Sequence, residues 1–231
     1  MVLVPKKAGK YRVINAAQRL NAVTIKDVSL PPSADDFSEK FARFPLLSLL
    51  DLLLGYDKCI LAPESRDVMA FMLPFGLLRM TTLPQGYIHG VQVFDRVIRK
   101  VLKDVISENH GKPFIHNIAV KPKTKSYFCC RNERPEEVEP GIRTSVLEAF
   151  ISLDKVLADI ERIGATIYGE KSEFLKESLK VVAYICGEKG RSTKDVKMNK
   201  IEDWPPYKNV TDVRVFIGLC GYYRIWIRDF Q

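Results

Sequence analysis

Short runs of apolar, β-branched and aromatic residues alternate with Gly- and Pro-containing breaks along the chain, and this pattern predicts paired strands. Residues 46–50 are apolar apart from one serine, which predicts a buried strand that ends on Asp51. The polar stretch 121–140 predicts a loop. We expect the other strands at residues 2–4, 11–14, 58–61, 68–80 (two strands), 113–120 (two strands) and 180–186.

Apolar residues spaced three and four apart predict two long helices that cover these strands. A turn at 83–86 opens the first helix, and the second runs over 142–163 and stops at Gly164. The expected inward positions of the two helices are Val91, Phe94, Ile98, Val101, Leu102, Val105, Val146, Phe150, Leu153, Leu157 and Ile160.

Shorter helices are predicted near both ends of the chain. Ser33 with Asp36 has the pattern of a helix cap, and Thr211 caps a last helix over 212–226, after another around 196–204. Along the chain, the predicted strands and helices do not follow the regular strand–helix–strand order of a parallel sheet. The order of elements therefore predicts an α+β fold with an antiparallel sheet backed by helices.

The composition of the chain favours some kinds of binding partner and cellular location over others. The 231 residues include 36 Lys and Arg against 28 Asp and Glu, so the formal net charge is +8 and the sequence pI is near 9.2. That excess favours a polyanionic partner. No apolar run reaches the ~18–20 residues of a membrane span, and the first residues lack the apolar core of a signal peptide. Five cysteines without a Cys-x-x-Cys pair argue against a disulfide framework or a zinc knuckle, so we expect an intracellular protein of the cytoplasm or nucleus.

A series of short motifs gives a more specific pattern. The motifs are VPKKAGKYR (4–12), LSLLDLLLGY (47–56), MLPFG (72–76), LPQG (83–86), WPP (204–206), VRVFIGL (213–219) and YYR (222–224). Their residues, order and spacing resemble the reverse transcriptases of gypsy-type LTR retrotransposons, those of fungal elements in particular. The resemblance extends over the whole chain.

The resemblance implies a fingers–palm–thumb fold whose palm is an antiparallel sheet backed by helices. It assigns N-terminally truncated fingers to residues 1–43 and 62–84, and the palm to 44–61 and 85–187. Residues 188–231 correspond to the thumb and the start of the connection. We expect no RNase H or integrase domain in this chain.

Reverse transcriptases of this family join nucleotides with two Mg²⁺ ions, which prefer hard oxygen ligands such as carboxylates. The resemblance gives Asp51 the role of the first carboxylate and Leu52 that of a backbone-carbonyl ligand. His116 and Asn117, in FIHN (114–117), stand where the family has paired aspartates. The resemblance therefore implies that Asp51 lies close to His116, that the metal site is incomplete, and that the enzyme is catalytically degenerate.

Four further residues correspond to the family's nucleotide-binding positions. Lys6 and Arg12 match the cations that hold the dNTP triphosphate, with Lys7 as the substitute for Lys6 if the hairpin shifts its register. Tyr56 matches the aromatic beneath the incoming sugar, and Gln85 matches the glutamine near the templating base pair. The alternatives are a solvated basic surface for the cations, turn packing for the tyrosine and a helix-start position for the glutamine.

Three residues correspond to contacts with the primer–template duplex. Tyr184 lies in the strand that resembles the primer grip, and Tyr222 and Arg224 belong to the last helix, where they can contact phosphates or stack on sugars. The alternative is that these aromatic residues are buried in the core.

Three functions stay open on this sequence. The first is an active RNA-directed DNA polymerase, which the fold favours and the missing aspartates oppose. The second is an inactive RNA- or DNA-binding module derived from such an enzyme, which the net charge favours. The third is a protein-interaction module that retains only the folded core.

Overall fold

A five-stranded antiparallel sheet forms the centre of the fold. Its strands are β3 (Leu47–Leu53), β6 (Gly111–Phe114), β7 (Asn117–Val120), β10 (Thr166–Ile167) and β11 (Glu173–Lys176). β3 lies in the middle, with β7 and then β6 on one side and both β10 and β11 on the other. The computed structural model that gives this fold describes residues 2–5, 11–14, 17–29, 33–53, 55–125, 137–193 and 201–229.

One face of this sheet is covered by three helices, α4 (Gly90–Val101), α5 (Lys103–Ser107) and α6 (Thr144–Arg162). Successive side chains of a strand point to opposite faces, so alternate residues of β3 and β7 enter this core. The core consists of Leu50, Leu52, Leu83, Phe94, Ile98, Leu102, Val105, Ile118, Val120, Leu153, Val156 and Ile160.

The opposite face of the sheet contributes Leu47 and Ala119 to a second core. Helix α2 (Ala34–Glu39) and the residues after it contribute Phe37, Phe41 and Phe44. A three-stranded sheet completes it, formed by β12 (Ser178–Val181), β13 (Tyr184–Gly187) and β14 (Gly190–Ser192). Because Asp51 alternates with Leu50 and Leu52, its side chain belongs to this second face and not to the helix layer.

Hairpins and short helices surround the two cores. The predicted hairpins at 2–14 and 68–80 are confirmed, and the Asp36 amide donates to the Ser33 hydroxyl over 3.5 Å, which confirms the predicted cap. These outer elements are β1 (Val2–Pro5), β2 (Tyr11–Ile14), β4 (Ala70–Leu73), β5 (Gly76–Arg79), β8 (Glu137–Glu139), β9 (Ile142–Arg143), α1 (Gln18–Val23), α3 (Pro63–Arg66), α7 (Val210–Tyr222) and 3₁₀ turns at Tyr56–Lys58, Gly169–Lys171 and Arg224–Trp226.

Three strand predictions need correction. The strand expected at 58–61 is absent. A 3₁₀ turn occupies Tyr56–Lys58, and the described segment 58–61 pairs only through an isolated bridge from Ile60 to Thr82. β3 continues to Leu53 because β10 supplies a partner for its last residues. The strand expected at 180–186 is a hairpin of β12 and β13, since the backbone turns at Val182, whose φ is +57°.

The helix predictions need correction in their details. The first long helix is interrupted at Leu102 into α4 and α5, and Val91 at its start is exposed. Phe150 is 53% exposed, because Ser152 takes an inward position on α6 through a hydrogen bond to the buried His110.

The cap of the last helix also differs from the prediction. Asn209 caps α7 by accepting from the Asp212 amide over 2.9 Å, so Thr211 lies inside the helix. Most of the helix expected around 196–204 and the centre of the loop expected at 121–140 lie outside the described residues.

Candidate functional site

The centre of the candidate site is the turn between β6 and β7, formed by Ile115 and His116. β7 pairs with β3 in a register that sets Asn117 directly opposite Asp51, and the Leu52 amide donates to the His116 carbonyl over 2.9 Å. Side chains opposite each other in an antiparallel pair point to the same face. The predicted proximity of Asp51 and His116 is therefore confirmed.

The backbone of Asp51 is fixed on its other side by the segment around the 3₁₀ turn Gly169–Lys171. The Asp51 amide donates to the Ser172 hydroxyl over 3.0 Å, and that hydroxyl donates to the Tyr168 carbonyl over 2.9 Å. The Tyr168 amide donates to the Asp51 carbonyl over 2.8 Å. These contacts hold Asp51 in one position relative to the hairpin turn.

One cation lies near the Asp51 carboxylate. The Nζ of Lys171 is 3.9 Å from Asp51 Oδ2, and the carboxylate side chain is only 14% exposed. The same ammonium group lies 4.5 Å from the centre of the Tyr168 ring. The Tyr168 hydroxyl donates to Glu170 over 2.9 Å, and this hydrogen bond raises the pKa of Tyr168. No sequence motif indicated Lys171 or Ser172, because only the pairing of β3 with β10 and β11 brings them to Asp51.

The side chains at the hairpin turn do not fit a pair of Mg²⁺ ions. They offer one carboxylate from Asp51, an imidazole from the exposed His116 and an amide from the half-buried Asn117. Mg²⁺ prefers oxygen ligands and loses its hydration water reluctantly, whereas imidazole suits Zn²⁺ or Cu²⁺ better. In the part of the chain that the structure describes, no group of three or more His, Cys, Asp and Glu residues is arranged to hold a metal ion.

Tyr56 and Gln85 lie near the start of α4, where the Tyr56 ring comes within 3.6 Å of the Cβ position of Gly90. The Tyr56 ring stacks on Phe94 with 4.9 Å between ring centres and 22° between planes, and burial raises its pKa. Gln85 is half-buried in the turn before α4. Asn21 of α1 holds this turn, since its side chain donates to the Gly86 carbonyl and accepts from the Ile88 amide, both over 2.9 Å. No sequence motif indicated Asn21.

Of the predicted triphosphate-binding cations, the described residues include only Arg12. Arg12 belongs to β2 and pairs in register with Val4 of β1. Lys6 and its alternative Lys7 lie outside the described residues. Their proposed roles stay predictions.

The three predicted duplex-contacting residues differ in accessibility. Tyr184 is only 5% exposed, and its ring stacks on Tyr222 with 5.7 Å between ring centres and lies 5.5 Å from the Trp226 ring. The structure therefore favours the alternative of core packing for Tyr184. Tyr222 is half-buried and donates to the Ala183 carbonyl over 3.2 Å, and burial raises its pKa to about 12. Arg224 is exposed.

The chain matches no protein-family model. It is 24% identical over 233 residues to the retrovirus-related Pol polyprotein from transposon 297 of Drosophila melanogaster, covering 99% of this chain and 20% of that protein. It is 25% identical over 222 residues to the Pol polyprotein from transposon gypsy of the same organism, covering 95% of this chain and 19% of the relative. The transposon Tf2-7 polyprotein of Schizosaccharomyces pombe is 23% identical over 227 residues, which is 98% of this chain and 15% of the relative.

Solved structures give the fold. The foamy viral protease-reverse transcriptase dRH in complex with double-stranded DNA has a TM-score of 0.74 at 18% identity, covering 96% of this chain and 35% of that chain. The foamy viral protease-reverse transcriptase in complex with an RNA/DNA hybrid has a TM-score of 0.68 at 18% identity, covering 96% of this chain and 27% of that chain. The chain therefore has the α+β reverse-transcriptase fold, with fingers, palm and thumb and an antiparallel palm sheet backed by helices. Its homologues are Pol polyproteins of gypsy-type and Tf2 LTR retrotransposons, of which it spans about a fifth.

Among the described residues, no helix combines the length and the apolar character that a membrane crossing requires.

Proposed function

We propose that this chain is a reverse-transcriptase domain of a retrotransposon-derived protein that binds primer–template duplexes but has lost efficient nucleotide addition. The observation that carries the proposal is the register of β3 and β7, which sets Asn117 opposite Asp51 and leaves His116 in the turn. At these two positions the resembled enzymes have aspartates. Three carboxylates would carry a charge of −3, whereas Asp51 alone carries −1.

The expected fall in the rate of nucleotide addition follows from the loss of two carboxylates. Carboxylates at this site hold the metal ions that supply the chemistry of nucleotidyl transfer. Removing two of them is expected to raise the barrier by several kcal/mol, and at ~1.4 kcal/mol per factor of ten this means roughly a thousandfold loss or more. What remains at the site is a fixed carboxylate that faces the cation of Lys171.

The duplex-binding part of the proposal rests on charge and on the fold. The net charge of +8 favours a polyanion, and Arg224 presents an exposed guanidinium beside the end of α7. In the proposed arrangement the fingers comprise residues 1–43 and 62–84, the palm 44–61 and 85–187, and the thumb 188–231. Tyr222 and Arg224 would then lie on the thumb side of an RNA/DNA or DNA duplex, with Tyr184 supporting Tyr222 from below.

The nucleotide-binding residues define the second ligand of the proposed site. Lys6 and Arg12 would hold the dNTP triphosphate, Tyr56 would support the sugar, and Gln85 would lie near the templating pair. The stack of Tyr56 on Phe94 gives this ring a fixed orientation, which suits a supporting role. dNTP binding by this chain would therefore survive the loss of the aspartates.

A protein-interaction module is the second candidate, and the β4–β5 hairpin favours it. Phe75 at its turn is 79% exposed, and Met72 and Leu77 are also exposed. Contiguous exposed apolar side chains on a small hairpin are typical of surfaces that another protein covers.

Fluorescence anisotropy with a labelled RNA/DNA primer–template duplex separates the two candidates. We expect saturable binding at low salt that weakens steeply as salt rises, because phosphate contacts release counterions. Binding that is absent at low salt, or that does not respond to salt, would contradict the duplex-binding proposal and favour the interaction module.

A further inference from the structure

Four lysines gather at the end of the β6–β7 hairpin that lies opposite the His116 turn. They come from three parts of the chain: the C-terminal end of α2, the edge strand β6 and the segment after β7. We call them the lysine cluster, and its members are Lys40, Lys112, Lys121 and Lys125.

The lysine cluster is built into the fold. Lys121 is only 4% exposed, and its amide donates to the His110 carbonyl over 2.9 Å, which extends the pairing of β6 with β7 by one residue. Its ammonium group lies 4.2 Å from the centre of the buried Phe44 ring, and the ammonium group of Lys125 lies 5.9 Å from the same ring. The ring face attracts these cations but does not neutralise them.

The cations of the cluster are close to one another. Lys112 lies opposite Ala119 in the β6–β7 register, so its side chain shares a face of the hairpin with Lys121, two residues after Ala119. Burial lowers the pKa of Lys112, and the positive charges of Lys40 and Arg99 lower it as well. Burial, together with the positive charges of Lys125 and Lys112, lowers the pKa of Lys121 to about 8. Neighbouring like charges disfavour the charged form of each group, and an anion bound between them offsets this repulsion.

Three carboxylates of the helix layer have partners outside the cluster. Asp95 pairs with Arg99 over 2.6 Å, Glu108 pairs with Lys155, and Glu148 accepts from the amide and hydroxyl of Thr124. Over the described ranges, no carboxylate forms an ion pair with a lysine of the cluster. The cluster thus concentrates positive charge without a counterion from these residues.

We propose that the lysine cluster is a binding site for a multivalent phosphate-class anion, separate from the site at Asp51. Lysine ammonium groups bind phosphate oxygens as point charges and donate up to three hydrogen bonds each. β7 has four residues and spans about 13 Å, so one phosphate group cannot contact both Lys121 and His116. Two sources present this chemistry, a free oligophosphate and the backbone of a nucleic acid. The proposal does not depend on duplex binding by the rest of the chain.

Isothermal titration calorimetry with sodium pyrophosphate at constant ionic strength tests the site directly. We expect saturable binding that Lys112→Gln and Lys40→Gln each weaken about tenfold or more, because each removes a charged hydrogen-bond donor. Lys103→Gln, which removes an exposed charge from α5, is the matched control and should leave binding unchanged. Lys40 is exposed, so its variant reports on the site even if Lys112→Gln fails to fold.

Addition of an RNA/DNA duplex to the pyrophosphate complex identifies the source of the anion. Displacement of pyrophosphate by duplex, with weaker duplex binding by Lys40→Gln, supports the site and assigns it to a nucleic-acid backbone. Simultaneous binding of both supports the site and assigns it to a free oligophosphate. Pyrophosphate binding that is absent, or equally affected by Lys40→Gln and Lys103→Gln, would overturn the proposal.

Discussion

Asp51 and Asn117 are direct cross-strand partners although 66 positions of sequence separate them, and the Leu52 amide beside them donates to the His116 carbonyl over 2.9 Å. The pairing is held by backbone hydrogen bonds and by buried neighbours such as Leu50 and Ile118. A substitution at position 116 or 117 therefore changes the chemistry of the site while the strand pairing that builds it remains.

The backbone of the β6–β7 hairpin leaves too little room for a Cβ atom at Gly111. A Cβ there would lie 2.9 Å from the Ala119 carbonyl oxygen, a backbone atom held by strand pairing. We expect Gly111→Ala to lower the free energy of unfolding by about 1–3 kcal/mol, because the two strands must move apart. Urea unfolding followed by circular dichroism measures the change. Gly169→Ala is the control, since nothing lies within 4 Å of its Cβ position; an equal loss in both variants would contradict the steric argument.

The buried His110 makes the stability of the protein depend on pH. Burial lowers its pKa below 6.5, and the positive charges of Lys155 and Lys123 act in the same direction, while Glu108 opposes them. The unfolded chain therefore binds more protons than the folded chain just below pH 6.5. Linkage then requires stability to fall as the pH drops through this range, by at most about 1.4 kcal/mol per pH unit for one proton.

Urea unfolding of wild type and His110→Gln at pH 7.5, 6.5 and 5.5 tests this dependence. We expect the variant to lose part of the pH slope between 6.5 and 5.5 even though it is less stable at pH 7.5. Gly169→Ala, which removes no titratable group and meets nothing within 4 Å, should keep the wild-type slope. A slope that His110→Gln leaves unchanged would show that another group controls acid stability.

Arg224 is the exposed member of the proposed duplex contacts. We expect Arg224→Gln to weaken duplex binding and to reduce the slope of log affinity against log salt by about 0.7–0.9, the value for one lost phosphate contact. Anisotropy titrations at several salt concentrations measure the slope. The control is Arg162→Gln on α6, whose guanidinium pairs with Asp159 over 2.9 Å. Equal slopes for Arg224→Gln and wild type would show that Arg224 does not contact a phosphate of the duplex.

The fold was predictable from sequence where local patterns decide it. The apolar run before Asp51, the helical spacing of Phe94, Ile98 and Leu102, and the Gly164 stop each depend on neighbouring residues, and the structure contains all three. The motifs also located the hairpin turn at His116, since their order matches that of the resembled enzymes.

The remaining features depend on contacts between distant segments, which no local pattern reveals. Helical spacing predicted that Phe150 faces inward, yet Ser152 takes an inward position instead and is fully buried with His110 as its partner at 2.7 Å. Lys171 reaches Asp51 only through the pairing of β3 with β10 and β11. Tyr184 was predicted to contact nucleic acid, but its ring packs beneath α7 against Tyr222.

The central claim of the proposed function is that His116 and Asn117, in place of paired aspartates, prevent efficient nucleotide addition. It is tested by extension of a DNA primer on an RNA template with Mg²⁺, comparing wild type with the variant His116→Asp/Asn117→Asp. Both proteins are first shown to bind the duplex. Asp51→Asn added to the double variant should abolish any gain, whereas Asp57→Asn, at an exposed position, should preserve it. The account predicts no extension by wild type and clear extension by the double variant. Extension by the unmodified protein with Mg²⁺, or a double variant that binds duplex and stays inactive, would contradict it.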